Sequence, residues 1–343
     1  MKSKKKKVYI IAEAGVNHNG NLKKALQLVK IAKEAGADAV KFQLFNAKEQ
    51  ISPIALNAKY QRKGTKKTNM LDMAKDYEFA WDNHIEISNY CKKLKIDYLS
   101  SCCDKKAIDF LIFTLKSKII KISSGEITNY DLIKHANKQK AIVIISTGMA
   151  TMDEIKEATN LIKNKKKLVL LHCVSNYPAK SIDQNLLIMN TLKIKFNCEI
   201  GFSDHTLEYE PAMISVALGA GYIEKHFTID KTLVGPDHSM SLNPSELKKF
   251  VKKIRFTELV MGKPNKNKIS YKENLIKKVA RRGVISTYNI NKGNKLNLKN
   301  IAIKRPLKGI DAKFLKEILG KKANKDIKIN TPITWNMLIN NDR

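Results

Sequence analysis

Eight short runs of mostly β-branched and aliphatic residues, alternating with longer helical patterns, occupy about the first 230 residues, and this alternation constrains the fold more than any other feature. The runs are 8–15, 39–45, 97–103, 119–126, 141–148, 168–175, 198–205 and 222–228. Each is nearly continuous in apolar residues, as expected of a strand covered on both faces. The intervening segments repeat apolar residues at helical spacing; in NLKKALQLVKIAKEAGA the stripe reads Leu22, Leu26, Val29 and Ala32. Eight strand–helix units in this length predict an α/β fold, a closed (β/α)8 barrel of the TIM type. An open doubly wound sheet would carry a glycine fingerprint after an early strand, and AEAGVNHNG has the wrong glycine spacing for one.

Two segments depart from this pattern. Residues 46–80 are far longer than an ordinary strand-to-helix loop, which predicts a lid or substrate-facing insertion at that rim. After Met261 the stretch GKPNKNKISYKEN loses apolar periodicity and reads as a linker. The expected organisation is a catalytic barrel over 1–261, a linker over 262–280 and a small C-terminal domain over 281–343. The last block has a thin core, so it is expected to dock on the barrel or on another subunit.

The formal charge is +32, from 64 Lys plus Arg against 32 Asp plus Glu, a balance that first suggests nucleic acid or an anionic surface. The arginines are only Arg62, Arg255, Arg281, Arg282, Arg305 and Arg343, and the lysines are dispersed except at Lys4–Lys7 and Lys165–Lys167. Readers of bases and phosphates rely on the planar guanidinium fork, so the pattern predicts a Lys-rich solvated surface and no specific nucleic-acid partner. A small anion would still be drawn toward such a field. No apolar run approaches the ~18 to 20 residues of a membrane span, and the basic start runs into Glu13 without a cleavage pattern. A cytoplasmic protein with no membrane partner is expected. Five cysteines without CxxC spacing suggest buried thiols, not a zinc knuckle or a disulfide framework.

In such a barrel, reactive groups gather at the C-terminal ends of the strands. There the chain places Glu13; Lys41 and Gln43; Ser101; Lys121, Ser124 and Glu126; Ser146; Ser203 and His205; and Glu224 and His226. Lys41/Gln43, Ser203/His205 and Glu224/His226 are two residues apart, so each pair shares one strand face. His205 and His226 end adjacent strands ~4.8 Å apart, where two imidazoles can share a divalent ion. Glu13 and Glu126 lie near them, and with two nitrogen ligands and otherwise oxygen donors manganese or magnesium fits better than structural zinc; His172 and His238 are lesser candidates. Lys41 and Lys121, with Ser124, Ser146 and Ser203, describe a pocket for a small phosphate or carboxylate, because a buried ammonium needs a compensating charge. A metal beside an anion pocket suggests polarisation of a carbonyl next to a phosphorylated reactant.

The motifs IIAEAGVNHNG, VKFQ, KISSGE, STGMAT, LHC followed by YP, GFSDHT, EKHFT, GPDHSMS and KRP, in this order, resemble the sialic acid synthases. The resemblance implies a (β/α)8 barrel followed by a small antifreeze-like (SAF) domain. It implies a transferase that condenses phosphoenolpyruvate with an open-chain N-acylated mannosamine-type sugar, giving a nine-carbon 2-keto acid and phosphate with manganese or magnesium. Both N-acetylmannosamine, giving N-acetylneuraminate, and a 2,4-diacetamido-trideoxy sugar, giving legionaminate, fit the motifs. By motif, Lys41, Lys121, Ser124, Ser146 and Ser203 would hold phosphoenolpyruvate, His205 and His226 the metal, and Glu13, Gln43, Tyr177 and Asp237 the sugar. Glu126 would sit beside metal and aldehyde as acid/base or orienter. Arg305 would reach the sugar's acyl group in the partner subunit of a domain-swapped homodimer.

The chain departs from the family's pattern in places. Ser100, Ser101, Cys102 and Cys103 replace its usual Ser-Thr-Pro-Phe, leaving Ser101 as the hydroxyl near the phosphate. HCVSNYP leaves Ser175 and Asn176 as alternative polar contacts, and 46–80 is shorter than the family's insertion. Two other reactions compete: a 3-deoxy sugar acid synthase acting on a phosphorylated aldose, which needs a second, Arg-rich anion site, and a Schiff-base aldolase on Lys121 or Lys225.

Overall fold

The structure, a computed structural model, describes residues 7–262 and 266–339. Most of the Lys4–Lys7 run, residues 263–265 of the expected linker, and 340–343 with Arg343 lie outside the described residues. Two compact units divide at residues 263 and 264.

In the first unit eight parallel strands close into a barrel in chain order: β1 Tyr9–Gly15, β2 Ala39–Leu44, β3 Asp97–Cys102, β4 Ile119–Ile122, β5 Ile142–Ser146, β6 Leu168–His172, β7 Glu199–Asp204 and β8 Tyr222–His226. Each falls within one of the eight expected runs. The apolar continuity has a direct cause. Outward-facing Ile10, Val40, Ile120, Leu170 and Ile223 pack beneath the helices, while their neighbours Ile11, Ala39, Ile119, Leu171 and Tyr222 fill the lumen. The fourth run is shorter than expected: its strand stops at Ile122, and Ser124–Glu126 form a 3-10 turn instead of continuing the strand.

Helix Leu22–Ala35 shows how local chemistry sets the outer layer. Asn21 accepts the Lys24 N–H at its start, and Gly36 ends it at φ +88, a left-handed position that favours glycine. Its buried face is Ala25, Leu28, Val29, Ala32 and Ala35. The expected stripe was turned about the axis, since Leu22 and Leu26 are only partly buried. Residues 46–80 hold three short helices, Ala47–Gln50, Lys59–Thr65 and Met70–Tyr77, and a bridge between Leu56 and Asn69. Asn46 and Asn69 cap the first and third by accepting the N–H of Glu49 and Asp72.

The second unit pairs β9 Gly283–Ser286 with β10 Ile301–Lys304, antiparallel, around Val284, Ile290, Leu296, Ile301, Ile310 and Ile333. The stretch read as linker contains helix Tyr271–Ala280, started by Ser270 accepting the Glu273 N–H. None of its residues is buried, and its apolar residues Tyr271, Leu275, Ile276 and Val279 are exposed. Among the described residues, no helix is long and apolar enough to cross a membrane.

Gly201 on β7 sits where the lumen leaves no room for a side chain. A Cβ there would stand 2.4 Å from the Tyr222 carbonyl oxygen and 2.5 Å from Leu171 Cδ2. Gly201→Ala is therefore expected to destabilise the full chain by about 1–3 kcal/mol through overpacking. A lowered melting temperature in calorimetry would register this, and an unchanged one would contradict it.

Candidate functional site

A cavity of about 650 Å³ opens at the C-terminal ends of the strands. Glu13, Lys41, Gln43, Ser101, Lys121, Ser124, Glu126, Ser146, Tyr177, Ser203, His205, His226 and Asp237 all line it. Strand register brings them to one level: Glu13 pairs with Lys41 and with His226, Gln43 with Ser101, Ser101 with Lys121, and Ser203 with Glu224. The register of β1 with β2 shifts between Glu13 and Gly15, and Gly15 sits at φ +52. Arg305, the remaining expected contact, lies in the second unit, where its Nε donates to the Ala280 carbonyl at 2.8 Å.

At the cavity floor two buried lysines meet two buried carboxylates. Lys41 Nζ is 3.0 Å from Glu13 Oε2 and 3.6 Å from Glu224 Oε2. Lys121 Nζ donates to Ser146 Oγ at 2.7 Å and lies 3.9 Å from Glu224 Oε1, which also accepts the Ser203 hydroxyl at 2.9 Å. Burial alone would raise Glu224, but Lys121 and Lys41 outweigh it and hold its carboxyl below the usual range. Burial opposes the Lys41 charge as well, and there Glu13 and Glu224 win, so its ammonium is held firmly. The other two groups go the opposite way. Burial dominates at Lys121, lowering its pKa against the pull of Glu224, and burial raises Glu13 against the pull of Lys41. An arriving anion would supply the charge that Lys121 lacks.

Beside this cluster the His205 and His226 rings lie 5.6 Å apart between centroids. His205 Nδ1 is 2.8 Å from the Val174 carbonyl, an acceptor, so Nδ1 carries the proton and Nε2 keeps its lone pair. His226 Nδ1 is buried with no hydrogen-bond partner among the described residues, 3.9 Å from Asp237 Oδ2. Burial lowers both imidazole pKa values, which keeps them neutral, the form that binds metal. Among the described residues no three His, Cys, Asp or Glu side chains form a ready cage. Two neutral imidazoles with an orphaned nitrogen fit a divalent ion whose other positions are filled by water or substrate oxygens. His172 and His238 do not line this cavity: His172 Nε2 is bonded to the Gln184 carbonyl, and both nitrogens of His238 are engaged by Thr228 and Asn19.

The structure also separates alternatives. Ser175 lines the cavity, whereas Asn176 does not and accepts the Tyr177 N–H instead. Glu126 reaches the cavity from its 3-10 turn, with its carboxylate held by Asn129 at 2.8 Å. Lys225 faces away from the lumen, donating to Asp204 Oδ2 at 2.9 Å and to the Thr206 and Glu208 carbonyls, so it is no Schiff-base lysine. Glu224, central to the charge cluster, was among the expected strand-end groups but had no role assigned to it; its place two residues before His226 puts it on the same face. From 46–80, Tyr60, Gln61, Met70, Met73 and Tyr77 also line the cavity, as a lid would. The Tyr60 ring lies 5.0 Å from Tyr177, which in turn lies 4.2 Å from His205.

Such a barrel, with a cationic floor and paired histidines at its mouth, has close relatives. The NeuB family model matches residues 28–266 and the SAF domain model residues 281–339. The chain belongs to the NeuB family. It is 43% identical over 328 residues to the N,N'-diacetyllegionaminic acid synthase of Campylobacter jejuni, covering 94% of this chain and 98% of the relative. With the enzyme of the same name from Legionella pneumophila it shares 40% over 334 residues, covering 95% and 93%. The crystal structure of N-acetylneuraminic acid (sialic acid) synthetase from Leptospira borgpetersenii matches with a TM-score of 0.71 at 34% identity, covering 79% of this chain and 90% of that one.

Asp237 is 7% exposed, and burial pushes its carboxyl up to about 6 against the opposing pull of Lys41. A carboxyl whose pKa is higher folded than unfolded costs stability once the pH rises through that interval. Asp237→Asn is expected to be more stable than the wild type at pH 8 by about 1–3 kcal/mol, a gain that shrinks toward zero near pH 4. Denaturant titrations with chelator at both ends of the range would check this; an equal or lower stability of the variant at pH 8 would contradict it.

Proposed function

We propose that this chain condenses phosphoenolpyruvate with the open-chain form of a 2,4-diacetamido-trideoxy sugar of the mannose type, releasing phosphate and a legionaminate-type nine-carbon 2-keto acid. It is a carbon–carbon bond-forming synthase of the phosphoenolpyruvate-dependent type. The observation that carries this reading is the pairing, in one cavity, of two buried ammonium groups with two neutral imidazoles.

Lys41 and Lys121, with Ser101, Ser124, Ser146 and Ser203, hold the phosphate and carboxylate of phosphoenolpyruvate. Gln43, Tyr177 and Asp237 hold the sugar, and Arg305 of a partner copy in a swapped homodimer completes its acyl pocket. Manganese or magnesium on His205 and His226 would polarise the aldehyde oxygen. The enol carbon is a weak nucleophile, so holding both reactants in one cavity removes much of the bimolecular entropy cost. Glu13, raised into the range of a proton donor, delivers a proton to the oxygen that becomes an alcohol. Glu126 orients the aldehyde. A carbon–carbon bond forms, water adds to the cationic former enol carbon, and the carbon–oxygen bond to phosphate breaks.

Two features support the diacetamido sugar over N-acetylmannosamine. The two relatives at 43% and 40% identity carry that specificity in their names. Beside Gln50, Tyr60 and Gln61 the lid side of the cavity carries an apolar patch, Val16, Phe45, Met70 and Met73, which suits a deoxy methyl and acetamido methyls better than a chain of hydroxyls. A phosphorylated aldose is disfavoured because Arg255, one of two barrel arginines, is engaged by Val8, Asp38 and Glu258.

Purified protein is expected to release phosphate from phosphoenolpyruvate only when an amino-sugar aldehyde and a divalent metal are both present. The diacetamido sugar should be preferred over N-acetylmannosamine in kcat/KM by about tenfold or more. Phosphate release without sugar, or a rate unaffected by a chelator, would overturn the reaction; equal use of the two sugars would overturn the specificity.

A further inference from the structure

Asp237 stands on the loop after β8, not on a strand, so strand pairing does not fix it. The loop after β1 holds it instead. Asn17, fully buried, donates from Nδ2 to the Phe227 carbonyl at 2.8 Å and to Ser241 Oγ at 3.0 Å. Ser241 passes this on, its hydroxyl donating to the Asp237 carbonyl at 2.6 Å. Two residues further, Asn19 donates from Nδ2 to the Val234 carbonyl at 2.8 Å, which leaves its Oδ1 to accept the His238 Nε2–H at 3.0 Å. The Thr228 hydroxyl then donates to His238 Nδ1 at 2.6 Å. Asn17 and Asn19 thus grip the chain on both sides of Asp237.

The same two loops also seat the lid. His18, between the two asparagines, stacks on Phe79 at the end of 46–80, with ring centroids 3.9 Å apart. Gly235 donates its N–H to the Gly64 carbonyl at 3.2 Å, on the helix that carries Tyr60. The backbones meet so closely that a Cβ on Gly64 would lie 2.3 Å from the Gly235 oxygen. A Cβ on Gly235 would lie 2.5 Å from the His238 ring. None of Asn17, His18, Asn19, His238 and Ser241 lines the cavity, so whatever they contribute passes through Asp237 and the lid.

We propose that Asn17, Asn19, His238 and Ser241 form a clamp that positions Asp237 and the Lys59–Thr65 helix together, making them positioning residues for the sugar half of the reaction. This rests on the function proposed above, with Asp237 as a sugar contact. The phosphoenolpyruvate half stands on strand residues and on Ser124 of the turn after β4, and is independent of the clamp. Loss of the clamp therefore weakens sugar recognition selectively.

The test compares wild type, Ser241→Ala, His238→Ala and His238→Gln, whose amide nitrogen reaches where the ring Nε2–H stands. Ser241→Ala and His238→Ala are expected to raise the sugar KM about tenfold or more while the phosphoenolpyruvate KM stays within about twofold. His238→Gln should recover most of the loss. In the ligand-free protein, amide hydrogen exchange should accelerate in 59–65 and 234–241 in both alanine variants and stay unchanged in β2 to β5. A parallel rise of both KM values, or unchanged exchange in those two segments, would overturn the clamp. If the wild type turns over none of the sugars, the functional reading fails while the exchange comparison still decides the clamp. Should His238→Ala not fold, Ser241→Ala, which removes one hydroxyl, decides both readouts.

Discussion

Two ammonium groups share the floor of one cavity with two carboxylates, all within a few per cent of full burial, and the rest of the site is arranged around that cost. Removing such charges from water is unfavourable unless their partners are close and well placed. Here the four charges do not settle equally. Lys41 and Glu224 stay ionised, while burial works against the charge of Lys121 and of Glu13. Burial thus leaves Lys121 short of a compensating anion and raises the Glu13 carboxyl. In the proposed reaction a phosphorylated carboxylate would supply that anion, and Glu13 would protonate the oxygen that becomes an alcohol.

The barrel makes this arrangement affordable. Below the charged level, Ile11, Leu99, Ile119, Ile144, Val169 and Leu171 fill the lumen, so the polar groups rest on a dry floor with one open side. Behind it, on the outward faces of β7 and β8, Lys225 and Asp204 form a second buried pair one residue away from both histidines. That pair, with the Thr206 and Glu208 carbonyls, ties the chain just beyond His205 to β8. The inward and outward residues of the same two strands divide the work between chemistry and support.

Much of this was legible before any coordinates. Strands covered on both faces leave continuous apolar runs, and period-two pairs such as Ser203/His205 announce a shared face, so the barrel and most cavity residues followed from spacing. What stayed hidden has physical reasons. Glu224 was one polar strand tip among many, and only the register places it between Lys41 and Lys121. Ser124 and Glu126 read as strand because a single 3-10 turn has no period of its own. The short helices of 46–80 were read only as one long insertion, and Tyr271–Ala280 sits in a polar stretch rich in Lys and Asn with its apolar residues exposed. The hold on Asp237 runs through side chains more than 200 residues apart in sequence, beyond the reach of any local pattern.

Direct calorimetric titration of phosphoenolpyruvate into the wild type and the Lys121→Met and Lys41→Met variants, in the presence of manganese and without sugar, tests the central claim most closely. The account predicts that either substitution weakens binding by about a hundredfold or more, since each removes one of two buried charges that meet the anion. Wild-type affinity in Lys121→Met would contradict it.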